Sequence, residues 1–347
     1  PVAAALEEIS IRWIRELLGL PGAAGGALVT GASMANFCAL AAARHALLRR
    51  LGWSVERDGL FGAPPITVVV GEEVHVSLLK ALSLLGLGRE RVVRVPVDRQ
   101  GRMRAERLPL LSASTVVCIQ AGNVNTGAFD PAREICGAAL GAGAWVHVDG
   151  AFGAWAKAAP ARAALADGIE LAHSWATDAH KWLNVPYDCG IVLVRDPAFL
   201  EAAMTADASY LAQGGASHPF RLTPEMSRRA RSVDVWAALR SLGRSGLADL
   251  IERCCRHAAR FAERLRAAGF SVLNDVVLNQ VLVSFGDAET TNAVIAGIQK
   301  EGTCWCGGTV WQGQTAMRIS VSSWATTERD VERSVEAMLR VAAAHLR

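Results

Sequence analysis

Five short runs in the first two hundred residues are apolar almost without interruption: ITVVV (66–70), RVVRV (91–95), TVVCI (115–119), WVHVD (145–149) and GIVLV (190–194). A strand with one face in water alternates apolar and polar side chains, whereas continuous runs of this length read as strands buried on both faces. Between them lie stretches of helical period at 33–50, 75–86 and 131–142. The alternation predicts an α/β fold, a mainly parallel sheet with helices on both sides. Ligands of such sheets sit beyond the carboxyl ends of the strands, so the residues that follow each run are the place to look for chemistry.

The texture changes near residue 232. SVDVWAALRSLGRSG and LIERCCRHAARFAERLRAAG predict helices ending at Gly246 and Gly269. Strands are expected at 277–285 and 316–323 around a helix at 288–300, and Thr327 caps a closing helix. This is a small α+β domain. The stretch 209–226 holds two glycines and two prolines without a clear period and is expected to be a mobile loop. The expected division is a large domain over 1–208, a loop and linker over 209–231, and the small domain over 232–347.

Composition narrows the function. A chain of 347 residues with 51% hydrophobic content buries a large core. Its 36 basic and 33 acidic side chains are interspersed, which points away from nucleic acid. Among the basic residues only Lys80, Lys157, Lys181 and Lys300 are lysine. The eight cysteines include two close groupings, Cys254-Cys255 and Cys304-Trp305-Cys306, and neither has the two-residue gap of zinc or redox motifs. They read as reduced, buried thiols with no metal. Apolar runs are too short for a membrane span and no leader opens the chain, so a cytoplasmic protein is expected. The first residue is Pro1, and a natural N-terminus upstream is expected.

Four strand ends collect chemically able residues. LVTGASMANFCALAAAR passes from a short apolar strand through small residues into a helix starting near Ser33, where free N–H groups suit an anion; an ordinary capped helix reads the same way. VVVGEEVHVSLLKAL places His75 just past a strand, as a ring able to stack on a flat ligand or as a plain helix-start residue. WVHVDGAFGAW ends a buried strand on Asp149, which needs a cationic partner or belongs to a structural ion pair. HSWATDAHKWLNVPYDCG sets Lys181 between His180 and Trp182, where a confined amine becomes a nucleophile toward an aldehyde. A phosphate cradle, a stacking imidazole, a carboxylate for a pyridinium nitrogen and an imine-forming lysine are together what pyridoxal 5′-phosphate (PLP) requires. No G-x-G-x-x-G follows a strand, which leaves a dinucleotide enzyme without support.

With HVDGA, DAHKW and DCG in this order, the chain resembles the group II PLP-dependent decarboxylases, the aromatic-L-amino-acid, histidine and glutamate decarboxylases, from EEISIRWIRELLGLPG to the last helix. The resemblance implies the aspartate aminotransferase fold (fold type I) and a homodimer with its site at the interface. It makes Lys181 the Schiff-base lysine, Asp149 the partner of the pyridine nitrogen and His75 the stacking ring. It places Ala32, Ser33, His180 and Asp178 at the phosphate and Ala151 beside the cofactor. GNVNTGAFDP (122–131) matches a family segment that puts Asn125 and Thr126 near the cofactor, with Asn125 standing where the family has threonine.

The implied reaction is decarboxylation of an L-amino acid, aromatic favoured, to its amine and CO2. Relatives present a tyrosine on the mobile loop as proton donor, but this chain has only Tyr187 and Tyr210, and the matching position falls near Pro219 or Phe220. His218 is the substitute acid. Without the donor, oxygen diverts the carbanion toward an aldehyde, which is the first alternative. A transaminase or carbon–carbon lyase is the second, suggested by Arg318 as a carboxylate clamp. A catalytically silent scaffold is the third.

Overall fold

The computed structural model describes residues 2–205 and 219–345. Helix α1 (Val2–Leu17) leads to β1 (Gly25–Val29), α2 (Ala32–Arg50) and the single turn α3 (Val55–Asp58). Then come β2 (Thr67–Gly71), α4 (Val76–Leu84), β3 (Val93–Val95), β4 (Thr115–Gln120), α5 (Ala132–Gly141), β5 (Trp145–Asp149) and β6 (Ser174–Asp178). The turn α6 (Ala179–Trp182), β7 (Gly190–Val194) and α7 (Pro197–Met204) complete the first part. The seven strands form one sheet in the order β1-β7-β6-β5-β4-β2-β3. Five neighbouring strands run parallel, and β7 alone runs against both of its neighbours, β6 and β1.

The uninterrupted apolar runs are explained by a core on each face. Val69, Val117, Ile119, Val146 and Val148 point into one core, while Val68, Val70, Val116 and Cys118 point into the other. Successive side chains on a strand face opposite ways, so each run feeds both layers. Helix α2, rich in alanine, lies in the second layer, where its small residues let it approach the sheet closely.

The second part is built from α8 (Arg231–Ala267), β8 (Ser271–Val272), β9 (Gln280–Ser284), α9 (Ala288–Glu301), β10 (Gly307–Trp311), β11 (Gln314–Ser320) and α10 (Glu328–His345). Its strands form an antiparallel sheet in the order β10-β11-β9-β8. Val281, Val283, Met317 and Ile319 share one continuous core with the first layer of the large sheet. Thr327 caps α10 reciprocally: Asp330 N–H donates to Thr327 Oγ1 at 3.3 Å, and Thr327 N–H donates to Asp330 Oδ2 at 2.9 Å.

Several expectations are corrected here. The run at 91–95 is not buried: β3 is an edge strand with Val93 and Arg94 exposed. The first helix break after 231 falls at Gly243 (φ 60°) and not at Gly246, and α8 continues past it; Gly269 (φ 90°) ends it as expected. The segment SWATD carries no strand signal, since it lacks β-branched residues apart from Thr177, yet as β6 it is paired on both sides and wholly buried. Tertiary pairing overrides propensity there. Helix α1 and strands β8 and β10 were also not expected.

Two backbones nearly touch where β7 passes the turn into α2. A Cβ on Gly190 would collide with the backbone of Gly31. Gly190→Ala is expected to push that turn outward and lower stability by about 1–3 kcal/mol, as overpacking does. Chemical denaturation of the variant against the wild type measures it, and unchanged stability would contradict the close approach.

Candidate active site

The carboxyl ends of β1, β2, β4, β5 and β6 open on one cavity of about 360 Å³. Each strand hands over a functional group as it ends. Strand β1 turns through Thr30 and Gly31 into α2, and helical geometry leaves the N–H groups of Ser33 and Met34 without intrahelical acceptors at the cavity wall. Strand β2 leads to His75, the N-cap of α4: its Nδ1 accepts from Ser77 N–H at 3.2 Å and lies 2.7 Å from Ser77 Oγ. With Nδ1 accepting, the neutral ring carries its proton on Nε2. Strand β5 ends on Asp149 and β6 on Asp178, followed at once by His180 and Lys181.

Asp178 ties these pieces together. Its Oδ1 accepts the Ala32 N–H at 2.7 Å, and its Oδ2 lies 3.0 Å from Lys181 Nζ and 3.5 Å from His180 Nε2. Lys181 Nζ also sits 5.8 Å from the centroid of the Phe152 ring. Phe152 is therefore the aromatic neighbour of the amine. Trp182, adjacent in sequence, is instead fully buried and donates to Phe152 O at 2.8 Å.

Asp149 is buried and accepts from Asn36 Nδ2 at 3.1 Å and from Ala151 N–H at 3.3 Å. Burial pushes its carboxyl above the usual range, opposed by the charge of His75, the Asn36 hydrogen bond and Lys181. Burial likewise holds His75 and His180 below the ordinary histidine value, with the neighbouring aspartates opposing. Uncompensated burial costs free energy, which a cationic ligand group beside Asp149 would offset.

Of the residues singled out in the sequence, Lys181, Asp149, His75, Ala32, Ser33, Ala151, Asp178 and His180 all line this cavity. Ala32 has its N–H committed to Asp178, so Ser33 and Met34 are the amides that face the opening. Asn125 and Thr126 are not among the lining residues. Asn125 Oδ1 accepts from Thr309 Oγ1 at 3.0 Å, and buried Thr126 donates to Gln100 O at 2.7 Å, so both fasten this loop to its surroundings. His218 and Tyr210 lie outside the described residues. Pro219 and Phe220 begin a short 3-10 turn and do not line the cavity. Arg318 donates to Val124 O at 3.2 Å and likewise does not line it. Tyr187 is exposed and stacks on His180 with centroids 4.2 Å apart.

Sequence reasoning missed Asn36 and His147. The signal for His147 was present, since it lies two residues before Asp149 and so shares its face of β5. Asn36 lies one helical turn beyond Ala32, on the same face of α2. His147 Nε2 is 2.8 Å from Asn36 Oδ1, and its Nδ1 is 2.9 Å from Ser174 Oγ.

This constellation lies beyond the carboxyl ends of the strands of an open α/β sheet, where ligands of such sheets bind. The family model for the pyridoxal-dependent decarboxylase conserved domain matches residues 1–286, and the chain belongs to that family. It is 29% identical over 275 residues to an aromatic-L-amino-acid decarboxylase of Bacillus atrophaeus, an alignment covering 76% of this chain and 54% of that protein. It is 26% identical over 362 residues to a 4-hydroxyphenylacetaldehyde synthase of Rhodiola rosea, covering 96% and 72%. The crystal structure of Oryza sativa TDC with PLP and tryptamine shares the fold with a TM-score of 0.91 at 24% identity, covering 100% of this chain and 77% of that one. The chain spans about half the length of the Bacillus relative. As expected, the fold is that of the PLP-dependent decarboxylases.

The eight cysteines are free, with Cys304 alone only half-buried. Among the described residues no cluster suits a metal ion, and no helix is long and apolar enough to cross a membrane.

Burial pushes His147 down to about 3. A group with a depressed folded value contributes stability above its unfolded value near 6.5, and that stability is lost as pH falls toward 3. The wild type is therefore expected to lose up to about 1.4 kcal/mol per pH unit from this ring between pH 6 and 4. His147→Gln removes that component, and urea titrations of both proteins across this range measure the difference in slope.

Proposed function

We propose that the protein binds PLP through Lys181 and decarboxylates an L-amino acid, aromatic favoured, to the amine and CO2. The observation that carries this reading is one cavity holding Lys181, Asp149 and His75 beside the amino end of α2. The residues suit the cofactor. Gly31 leads into α2 beside His180, and Ser33 and Met34 present amides to a phosphate. Asp149 would hold the ring nitrogen as the cation that its burial calls for, and His75, pushed toward its neutral form, would offer a flat ring.

When bound, the cofactor supplies an electron sink for the bond broken at the substrate Cα. The chain's own groups do the rest. Asp178 holds the Lys181 amine at 3.0 Å near the amino end of α2. Phe152 and Val124 add apolar wall that keeps water back, which strengthens the charged contacts. Ser77 fixes the orientation of His75 through two contacts on Nδ1.

A second reading, decarboxylation with oxidation to an aldehyde, is favoured by the sequence at the loop, where Pro219 and Phe220 stand near the position relatives fill with tyrosine. His218 is the chain's candidate proton donor against that outcome. Asn125 and Thr126 are retained only as indirect supports of the cofactor loop. We take the large domain as 1–208, the linker as 209–231 and the small domain as 232–347, and the working form as a cytoplasmic homodimer. Free cysteines fit a reducing compartment.

Purified protein with PLP, offered a panel of L-amino acids while CO2, aldehyde and peroxide are scored together, tests both readings. CO2 with amine supports the first, and CO2 with aldehyde and peroxide the second. Lys181→Ala is expected to abolish the visible band of the bound cofactor and all turnover. Turnover retained in that variant overturns the assignment of Lys181.

A further inference from the structure

A file of five buried side chains leads away from the cavity through the second layer of the sheet. Trp145 Nε1 donates to Ser174 Oγ at 2.9 Å, Ser174 Oγ lies 2.9 Å from His147 Nδ1, His147 Nε2 lies 2.8 Å from Asn36 Oδ1, and Asn36 Nδ2 donates to Asp149 Oδ2 at 3.1 Å. All five are buried. The two ends set the direction. An indole N–H only donates and an ionised carboxylate only accepts. Asn36 must then turn its NH2 to Asp149 and its oxygen to His147, which puts the imidazole proton on Nε2 and leaves Nδ1 to accept from Ser174.

We propose that Trp145, Ser174, His147 and Asn36 form a one-way hydrogen-bond chain that positions Asp149 and keeps it ionised toward the cofactor's ring nitrogen, with Asn36 and His147 as positioning residues. This rests on the reading of Asp149 given above. Every link is uncharged, so the chain delivers a donor without a competing cation beside the carboxylate. A lysine or arginine in place of Asn36 would neutralise Asp149 within the protein and weaken its pull on the ring. Linked donors polarise one another, which makes the last hydrogen bond stronger than an isolated amide contact.

Two measurements test the chain. Nitrogen-15 NMR of the histidine side chains of the cofactor-free protein reports the His147 tautomer without any cofactor. The proton on Nε2 is expected, and a proton on Nδ1 overturns the chain. With PLP bound, the pH midpoint of the visible band is compared in the wild type, Asn36→Leu, His147→Leu and His147→Gln. Loss of the donor makes Asp149 hold its proton more tightly, the ring loses positive charge, and the nitrogen of Lys181 becomes easier to protonate. The midpoint is expected to rise by about one pH unit in both leucine variants, the size of a lost hydrogen bond to an ionised group. His147→Gln, whose amide can donate where Nε2 does, is expected to restore most of it. Wild-type midpoints in both leucine variants overturn the proposal. A wild-type protein with no visible band fails the cofactor reading instead, and the tautomer result still decides the direction of the chain.

Discussion

The carboxylate of Asp178 is the contact on which the geometry of the site depends. It ends a buried strand, and its backbone is held on both sides: its N–H donates to Ala151 O at 2.9 Å, and it pairs with Gly190 of β7. From that fixed point one oxygen reaches the first amide of α2, and the other reaches the amine of Lys181. A helix of nineteen residues and a lysine 149 positions further along the chain than Ala32 are thereby placed by one group. Buried charge is costly without partners, and here the helix amide, the ammonium and the His180 ring supply them. The same contact orders the α2 side of the cavity, because it takes up the Ala32 amide and leaves those of Ser33 and Met34 without an intrahelical acceptor.

The reversal of β7 serves the same end. A strand continuing the parallel sense after β6 would require a long crossover, whereas the antiparallel return starts within a few residues of Lys181. Its first residue, Gly190, passes so close to the backbone of Gly31 that Gly190 has no room for a side chain. The loop that carries Lys181 is closed back on the sheet by this return: Cys189 N–H donates to His180 Nδ1 at 3.2 Å, and Asn184 Nδ2 donates to Lys181 O at 3.2 Å and to Ser322 O at 3.0 Å. The lysine is therefore held by backbone on both sides and by contacts from the small sheet's side of the molecule.

Much of this was legible in the chain because burial leaves a local trace. Strands β4, β5 and β7 announce themselves as apolar runs, Asp149 stands out as a charge at the end of β5, and Lys181 stands out as a rare lysine in the stretch before β7. Strand β6 left no such trace: its Ser174 and Asp178 are satisfied by partners distant in sequence, Trp145 and Ala32, and only the folded pairing reveals why they are there. The same holds for Asn36, which reads as an ordinary helix residue until His147 and Asp149 are seen on either side of it. Asn125 and Thr126 show the opposite case. The family resemblance puts both near the cofactor, and in the structure each side chain is hydrogen-bonded within the protein, to Thr309 and to Gln100. Composition cannot tell a polar group waiting for a ligand from one already bonded, since the difference lies in the partner and not in the residue.

The charges that remain in the cavity follow from these bonds. His75 and His180 in the wall, and His147 behind it, are all pushed toward the neutral form by burial. The wall carries two carboxyl groups, Asp149 and Asp178, against one amine, Lys181, with the amino end of α2 as a partial offset. A ligand that brings a cation to Asp149 and an anion to α2 meets both halves of this imbalance, but its anion lands beside Asp178. His180 is the group 3.5 Å from that carboxylate able to take up a proton, and a nearby anion raises its proton affinity by the ordinary Coulombic rule. Cys189 N–H holds the Nδ1 of this ring and Tyr187 stacks on it, while Nε2 is the nitrogen that lies beside Asp178.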